Sequence, residues 1–178
     1  LMMHSTDDGR TWSEPVDITK QVKLPNWGWY ATGPGVGIQL KRGSHAGRLV
    51  IPCDHGEKYK GQRVKMSHCF YSDDGGKSWQ LGESVSPHTD ECQVVEIPDG
   101  KLMINMRNYW AKTGGEKEKG SKRAVAYSDD GGETWSDLEF DSTLIEPVCQ
   151  ASLITGVADS ESSSYPLFFS NPASKNKR

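Results

Sequence analysis

The sequence predicts an all-β chain: an arc of a β-propeller built from antiparallel four-stranded blades. Three observations lead there. Hydrophobic residues fill only 34% of 178 positions and glycine fills 19, yet the chain keeps 6 Trp, 6 Tyr and 4 Phe. That aromatic content separates it from disordered chains and suits many short elements joined by polar turns. One octet recurs three times, and each interval between octets holds short strand-like runs.

The octets are STDDGRTW from Ser5 to Trp12, SDDGGKSW from Ser72 to Trp79, and SDDGGETW from Ser128 to Trp135. All fit S-x-D-x-G-x-x-W, through Ser5, Asp7, Gly9 and Trp12, then Ser72, Asp74, Gly76 and Trp79, then Ser128, Asp130, Gly132 and Trp135. The odds of one chance match in a chain of this length are on the order of 1 in 2,000, so three are a repeat. The chemistry is that of a tight hairpin turn. Glycine supplies positive φ, the aspartate accepts backbone N–H bonds that the turn leaves open, and the tryptophan folds back over it. An EF-hand reading fails, because the octets lack the acidic twelfth position and the alternating ligands. The turns are structural staples, and no metal or cofactor is expected.

Strands are expected at 36–40, 49–51 and 65–71 ahead of the second octet, and at 92–97, 102–106 and 123–127 ahead of the third. A fourth strand after each octet completes a blade, and repeated four-stranded units are the pattern of a propeller. Residues 1–178 then hold two nearly complete blades and parts of two others. The chain opens directly on a turn motif and closes directly after an apolar run, so it reads as a fragment of a single propeller domain.

Composition narrows function. With 21 basic and 24 acidic residues the net charge is −3, which disfavours a bulk electrostatic grip on nucleic acid or anionic membrane. No apolar run approaches the roughly 20 residues of a membrane helix. Cys53, Cys69, Cys92 and Cys149 form no C-x-x-C pair and no Cys/His zinc spacing, and read as buried thiols. Residues 112–123 carry five basic residues, two glutamates and three glycines, and read as a long solvated hairpin loop; Ser160 to Ser164 reads as another polar tip.

One hairpin carries candidate chemistry. Asp99-Gly100 is a strong two-residue turn signal. Cross-strand positions then sum to about 198 or 199, so Glu91 faces Arg107 or Asn108. An acid and a guanidinium emerge together, which alone is also the description of a rim ion pair. Trp27, Trp29 and Tyr30 cluster ahead of Gly33-Pro34-Gly35 and could stack on a sugar or pack under a strand. Asp54 and His55 follow the expected strand at 49–51, as pocket residues or as a solvated turn.

The octets resemble the Asp-boxes of the sialidase superfamily, and the segments between them narrow the likeness to bacterial and animal exo-α-sialidases. ATGPGVGIQL from Ala31, ECQVVE from Glu91 with LMINMR ending at Arg107, CQASLI from Cys149, and FFSNP from Phe168 carry it across essentially the whole chain. Asp-boxes alone occur in many other propellers; the E-C-Q-V hairpin rarely does. The resemblance implies a six-bladed propeller and a retaining glycoside hydrolase that releases terminal sialic acid from sialylated glycans. Three arginines bind the sugar carboxylate and a tyrosine attacks the anomeric carbon, outside the two-carboxylate scheme. Phenol has a pKa near 10, so a glutamate must draw off its proton. By resemblance Glu91 is that glutamate, Arg107 the second arginine and Arg178 the third. Asp54 and His55 fall where the family lines its pocket, and Trp29 and Tyr30 join them as candidate sugar contacts.

The first arginine and the aspartate acid/base belong upstream of the first box, and the nucleophile downstream of Arg178. Tyr30, Tyr59, Tyr71, Tyr109, Tyr127 and Tyr165 do not match the nucleophile's context. The segment alone is expected to be inactive. A non-catalytic Asp-box propeller that binds glycans or proteins is the rival. A trans-sialidase shares every residue seen here. Linkage preference, oligomeric state and compartment stay open, with exported or lysosomal settings ahead of the cytoplasm.

Overall fold

The computed structural model describes residues 1–157 and 165–174. After a short helix α1 (Thr19–Val22), the chain is almost entirely strand and turn. The strands are β1 (Tyr30–Thr32), β2 (Ile38–Gln39), β3 (Leu49–Tyr59), β4 (Gln62–Ser72), β5 (Gln80–Leu81), β6 (Thr89–Glu96), β7 (Leu102–Asn108), β8 (Lys122–Ser128), β9 (Glu139–Ile145), β10 (Ser152–Thr155) and β11 (Leu167–Ser170).

They form three antiparallel sheets. The first runs β1-β3-β4-β5, with β2 also pairing β3; the second runs β6-β7-β8-β9; the third is the pair β10-β11. The two larger sheets have the make-up of successive blades, and among the described residues no sheet closes on itself. This is the partial propeller that the repeats predict.

Each octet folds as expected, with one partner added. Ser5 Oγ donates to Asp7 Oδ1 and accepts from the Gly9 N–H, while Asp7 accepts from the Thr11 N–H and hydroxyl, the latter at 2.6 Å. The same bonds join Ser72, Asp74, Gly76 and Ser78, and Ser128, Asp130, Gly132 and Thr134. The third glycine-site residue sits at positive φ in all three turns (Gly9 +79°, Gly76 +86°, Gly132 +93°), with the tryptophan ring against it. A hydroxyl ahead of the tryptophan is thus part of the motif, and this feature is legible in T-W, S-W and T-W but absent from the expected pattern.

The core lies between the two large sheets. Val50, Cys69, Cys92, Val94, Leu102, Ile104, Met106 and Ala126 are buried there together. A smaller cluster under the other face of the first sheet joins Ile18 and Val22 to Cys53, Phe70 and Trp79. Cys53, Cys69 and Cys92 are buried free thiols, and Cys149 is a half-buried free thiol.

Arg48 ties the blades. Its guanidinium is 4% exposed, pairs with Asp73 at 2.7 Å and Glu133 at 3.0 Å, donates to the Asp130 carbonyl, and lies 4.0 Å over the Tyr71 ring. One buried arginine therefore joins the second octet to the third.

Two expectations need correction. β3 runs to Tyr59, so Asp54 and His55 lie inside a strand, not in a polar loop after it. The strand continues because 11 consecutive positions pair with β4, closing at a Lys60-Gly61 turn with both residues at positive φ. The segment 112–123 is not wholly a solvated loop either. Lys122 already belongs to β8, and Arg123, the first residue of the strand expected at 123–127, is 1% exposed, with its guanidinium paired to buried Glu146 and donating to Asn105 Oδ1 at 2.7 Å. Lys119 lies 4.3 Å over Trp110, which closes the loop over the blade. Ser160 to Ser164 lies outside the described residues.

Candidate active site

The site grows from the β6–β7 hairpin. From Cys92↔Met106 to Glu96↔Leu102 the paired positions sum to 198, as the Asp99-Gly100 turn predicts. The register then shifts: Thr89 pairs with Asn108, so Asp90 and Glu91 together stand opposite Arg107. Such a bulge re-aims side chains that strict alternation would send to opposite faces. Both acids consequently line one cleft with Arg107, a cavity of about 400 Å³.

Glu91 Oε2 accepts from Arg107 Nη1 at 2.6 Å, with the two side chains 27% and 14% exposed. The guanidinium also lies 4.9 Å over the Tyr109 ring. Its Nε is buried with no hydrogen-bond partner among the described residues, so protein groups leave the fork incompletely satisfied.

The opposite wall comes from the first blade. Asp54 in β3 is 1% exposed, accepts from Trp29 Nε1 at 2.7 Å, and faces Lys65 Nζ at 3.3 Å; Lys65 also reaches Asp90 at 3.4 Å. Burial, and secondarily the Asp90 carboxylate, push Asp54 up to about 6, against the pull of Lys65. Lys65 and Asp90 complete the cleft and were not candidates from sequence. Asp90 was hidden because alternation alone turns the neighbour of Glu91 away.

The glycine segment closes one end. A Cβ on Gly35 would meet Gln93 Oε1 at 2.3 Å, and Gln93 Nε2 donates to the Val36 carbonyl at 2.9 Å. The ATGPG and ECQ segments, far apart in sequence, are therefore in direct contact, and a side chain at Gly35 would displace the Gln93 amide.

The expected site residues divide. Glu91, Arg107, Asp54 and Trp29 share the cleft. His55 and Tyr30 do not, because successive residues of a strand face opposite ways: Tyr30 pairs with His55, and Ala31 with Asp54. His55 is fully buried, stacked at 3.5 Å on Trp27 and joined to His68 through their Nδ1 atoms at 3.0 Å. Burial depresses His55 to about 4. The Tyr30 hydroxyl packs against His68 and Cys53, and burial pushes the phenol far above its ordinary value. Arg178 lies outside the described residues. Among those residues, no group of three or more His, Cys, Asp and Glu side chains is placed to hold a metal.

Comparison with known proteins agrees with this fold. Residues 1–177 match the BNR repeat-like domain family. The chain is 40% identical, over 97% of its length, to a sialidase of Bacteroides fragilis, of which it covers 29%. The solved structure of a Hadza microbial sialidase superposes with a TM-score of 0.79 at 37% identity, covering 99% of this chain and 32% of that one. A leech intramolecular trans-sialidase, solved with 2,7-anhydro-Neu5Ac, superposes at 0.77 with 27% identity, covering 98% of this chain and 24% of that one. The chain thus spans about a third or less of each of these three relatives. On the repeats, the blades and these matches, it belongs to the BNR repeat-like family and, within it, to the sialidase superfamily.

Proposed function

We propose that the full-length protein is an exo-α-sialidase, a retaining glycoside hydrolase, and that this segment supplies two groups of its active centre. The observation that carries the reading is the Glu91–Arg107 pair, set opposite each other by the hairpin register in one cleft beside an exposed tryptophan. Its support from relatives is that those most similar are named sialidases or trans-sialidases.

Arg107 offers paired, permanently charged N–H donors to the carboxylate of the sugar. Glu91 takes the proton of a tyrosine as its phenolic oxygen bonds to the anomeric carbon and the glycosidic C–O bond breaks. An aspartic acid protonates the departing alcohol. Water then gives a proton to the aspartate as it attacks the anomeric carbon, the bond to tyrosine breaks, and the phenol recovers its proton from Glu91. A tyrosine suits this centre because a carboxylate nucleophile would be repelled by the carboxylate already on the sugar. By resemblance the tyrosine and the aspartate belong to flanking parts of the full-length protein, and the isolated segment is inactive as one part of a single propeller domain. Arg178 is the candidate third arginine of the carboxylate clamp.

The test is release of a fluorophore from an α-sialoside by the full-length protein, with the 178-residue segment alongside. Release by the former alone supports the reading. Silence from a folded full-length protein across several sialic acid forms favours a glycan- or protein-binding propeller. Product analysis separates hydrolysis from transfer, since free sialic acid and an anhydro or transferred sugar differ in mass.

A further inference from the structure

A second cavity, of about 530 Å³, lies beside the cleft and is not used by the reaction above. It sits between the tip of the β3–β4 hairpin and the start of the β7–β8 loop at Tyr109 and Thr113. Trp29, Lys65 and Asp90 line both cavities, so the second opens directly off the first with the indole as shared wall. Trp29 is 60% exposed, although a polar chain of this size could have covered it, and Lys65 lies 4.5 Å over its ring.

The charges around this cavity are unbalanced. Glu57 accepts from Trp27 Nε1, and Lys65 is held by Asp54 and Asp90. Lys58 and Arg63 face each other as a direct cross-strand pair, both exposed and both lining the cavity. Like charges directly opposite on a sheet cost stability. Among the described residues neither stands in an ion pair. An anion bound between them removes the repulsion and gains charge-assisted hydrogen bonds.

We propose that this cavity is a subsite for an anionic sugar unit of an extended glycan, held by Lys58 and Arg63 against the Trp29 wall. The unit carries a carboxylate or a sulfate ester, and it is linked to the sialic acid occupying the neighbouring cleft. The inference rests on the sialoside reading of that cleft. Two cations lining one cavity with an indole fit one charged sugar, whereas nucleic acid requires a longer basic stripe.

The test uses the full-length protein and its Lys58→Ala/Arg63→Ala double variant, whose changes fall at an exposed hairpin tip. Four substrates are compared: a small fluorogenic α-sialoside, a neutral sialyl-oligosaccharide, and the same oligosaccharide bearing a second sialic acid or a sulfate. On the first two, kcat/KM stays within about twofold of wild type. On at least one anionic glycan it falls about fivefold to twentyfold, through KM, as loss of two exposed charge contacts implies. Whether the disialylated or the sulfated substrate is affected identifies the anion. Equal effects on neutral and anionic glycans, or none on any, overturn the subsite. If the wild-type protein hydrolyses no sialoside, the reading of the cleft fails separately. Calorimetric binding of the disialylated and sulfated glycans then decides: tighter binding by wild type than by the double variant supports the subsite, and equal binding overturns it.

Discussion

Glu91 and Arg107 are bonded at 2.6 Å at the point where the regular β6–β7 ladder gives way to a bulge. The hairpin turn sets the register, and the bulge at Asp90 and Glu91 then turns two neighbouring acids toward a single arginine. Asp90 is taken up by Lys65, which leaves Glu91 and Arg107 as the accessible pair in the cleft.

On the proposed sialidase reading, Arg107 anchors the carboxylate of the substrate. Arg107→Ala in the full-length protein is expected to raise KM for a fluorogenic sialoside about 10- to 100-fold, the loss of charge-assisted hydrogen bonds worth about 1.5–3 kcal/mol. Arg107→Lys keeps the charge but not the fork and recovers only part of the loss. An unchanged KM removes Arg107 from the site.

Asp54 gives the first blade a pH signature. Its carboxyl is raised to about 6 in the folded protein, above its unfolded value near 3.8. The folded state therefore binds the extra proton between those values, and the stability that this group contributes is lost as pH rises from about 4 to about 6. Urea unfolding of full-length wild type and Asp54→Asn at pH 4.5 and 7 should show a loss in wild type that the variant lacks. Parallel curves would mean that Lys65 neutralises the group throughout.

The octet aspartates behave in the opposite sense. Hydrogen bonds from the Thr11 hydroxyl and N–H, and from those of Ser78, lower Asp7 and Asp74 to about 2. Their contribution is present above about pH 4 and is lost as pH falls toward 2. Asp74→Asn should lower the melting temperature by a few degrees at pH 7 and make no difference at pH 2. A shift of equal size at both values would point to the lost geometry of the turn, not its charge.

Arg123 and Glu146 form a buried pair, 1% and 2% exposed. Removing the arginine alone strands a carboxylate whose pKa burial already raises. Arg123→Ala is expected to cost about 3–5 kcal/mol, while Arg123→Met with Glu146→Leu costs far less. Equal destabilisation by the single and double variants, measured in denaturant, would show that packing rather than charge dominates there.

The sequence announces what local chemistry dictates. The octets name their own turns, and Asp99-Gly100 sets the register that brings Glu91 to Arg107. Arg48 and Arg123 were invisible because their partners, Asp73, Glu133 and Glu146, lie 23 or more residues away and only the packed blades bring them close. The facing of Asp54 and His55 was equally hidden, since it depends on β3 extending well beyond its apolar start. A bulge leaves no mark in composition, so Asp90 could be found only in the folded hairpin.

The measurement that tests the account most directly is turnover of a fluorogenic α-sialoside by the full-length protein and its Glu91→Gln variant. With the fold verified by circular dichroism, wild type is expected to release the fluorophore, and the variant to lose roughly 10²–10⁴-fold in kcat, the scale of a lost general base. Wild-type turnover by Glu91→Gln would contradict the role given to the hairpin and leave Glu91 and Arg107 as an ion pair at the rim.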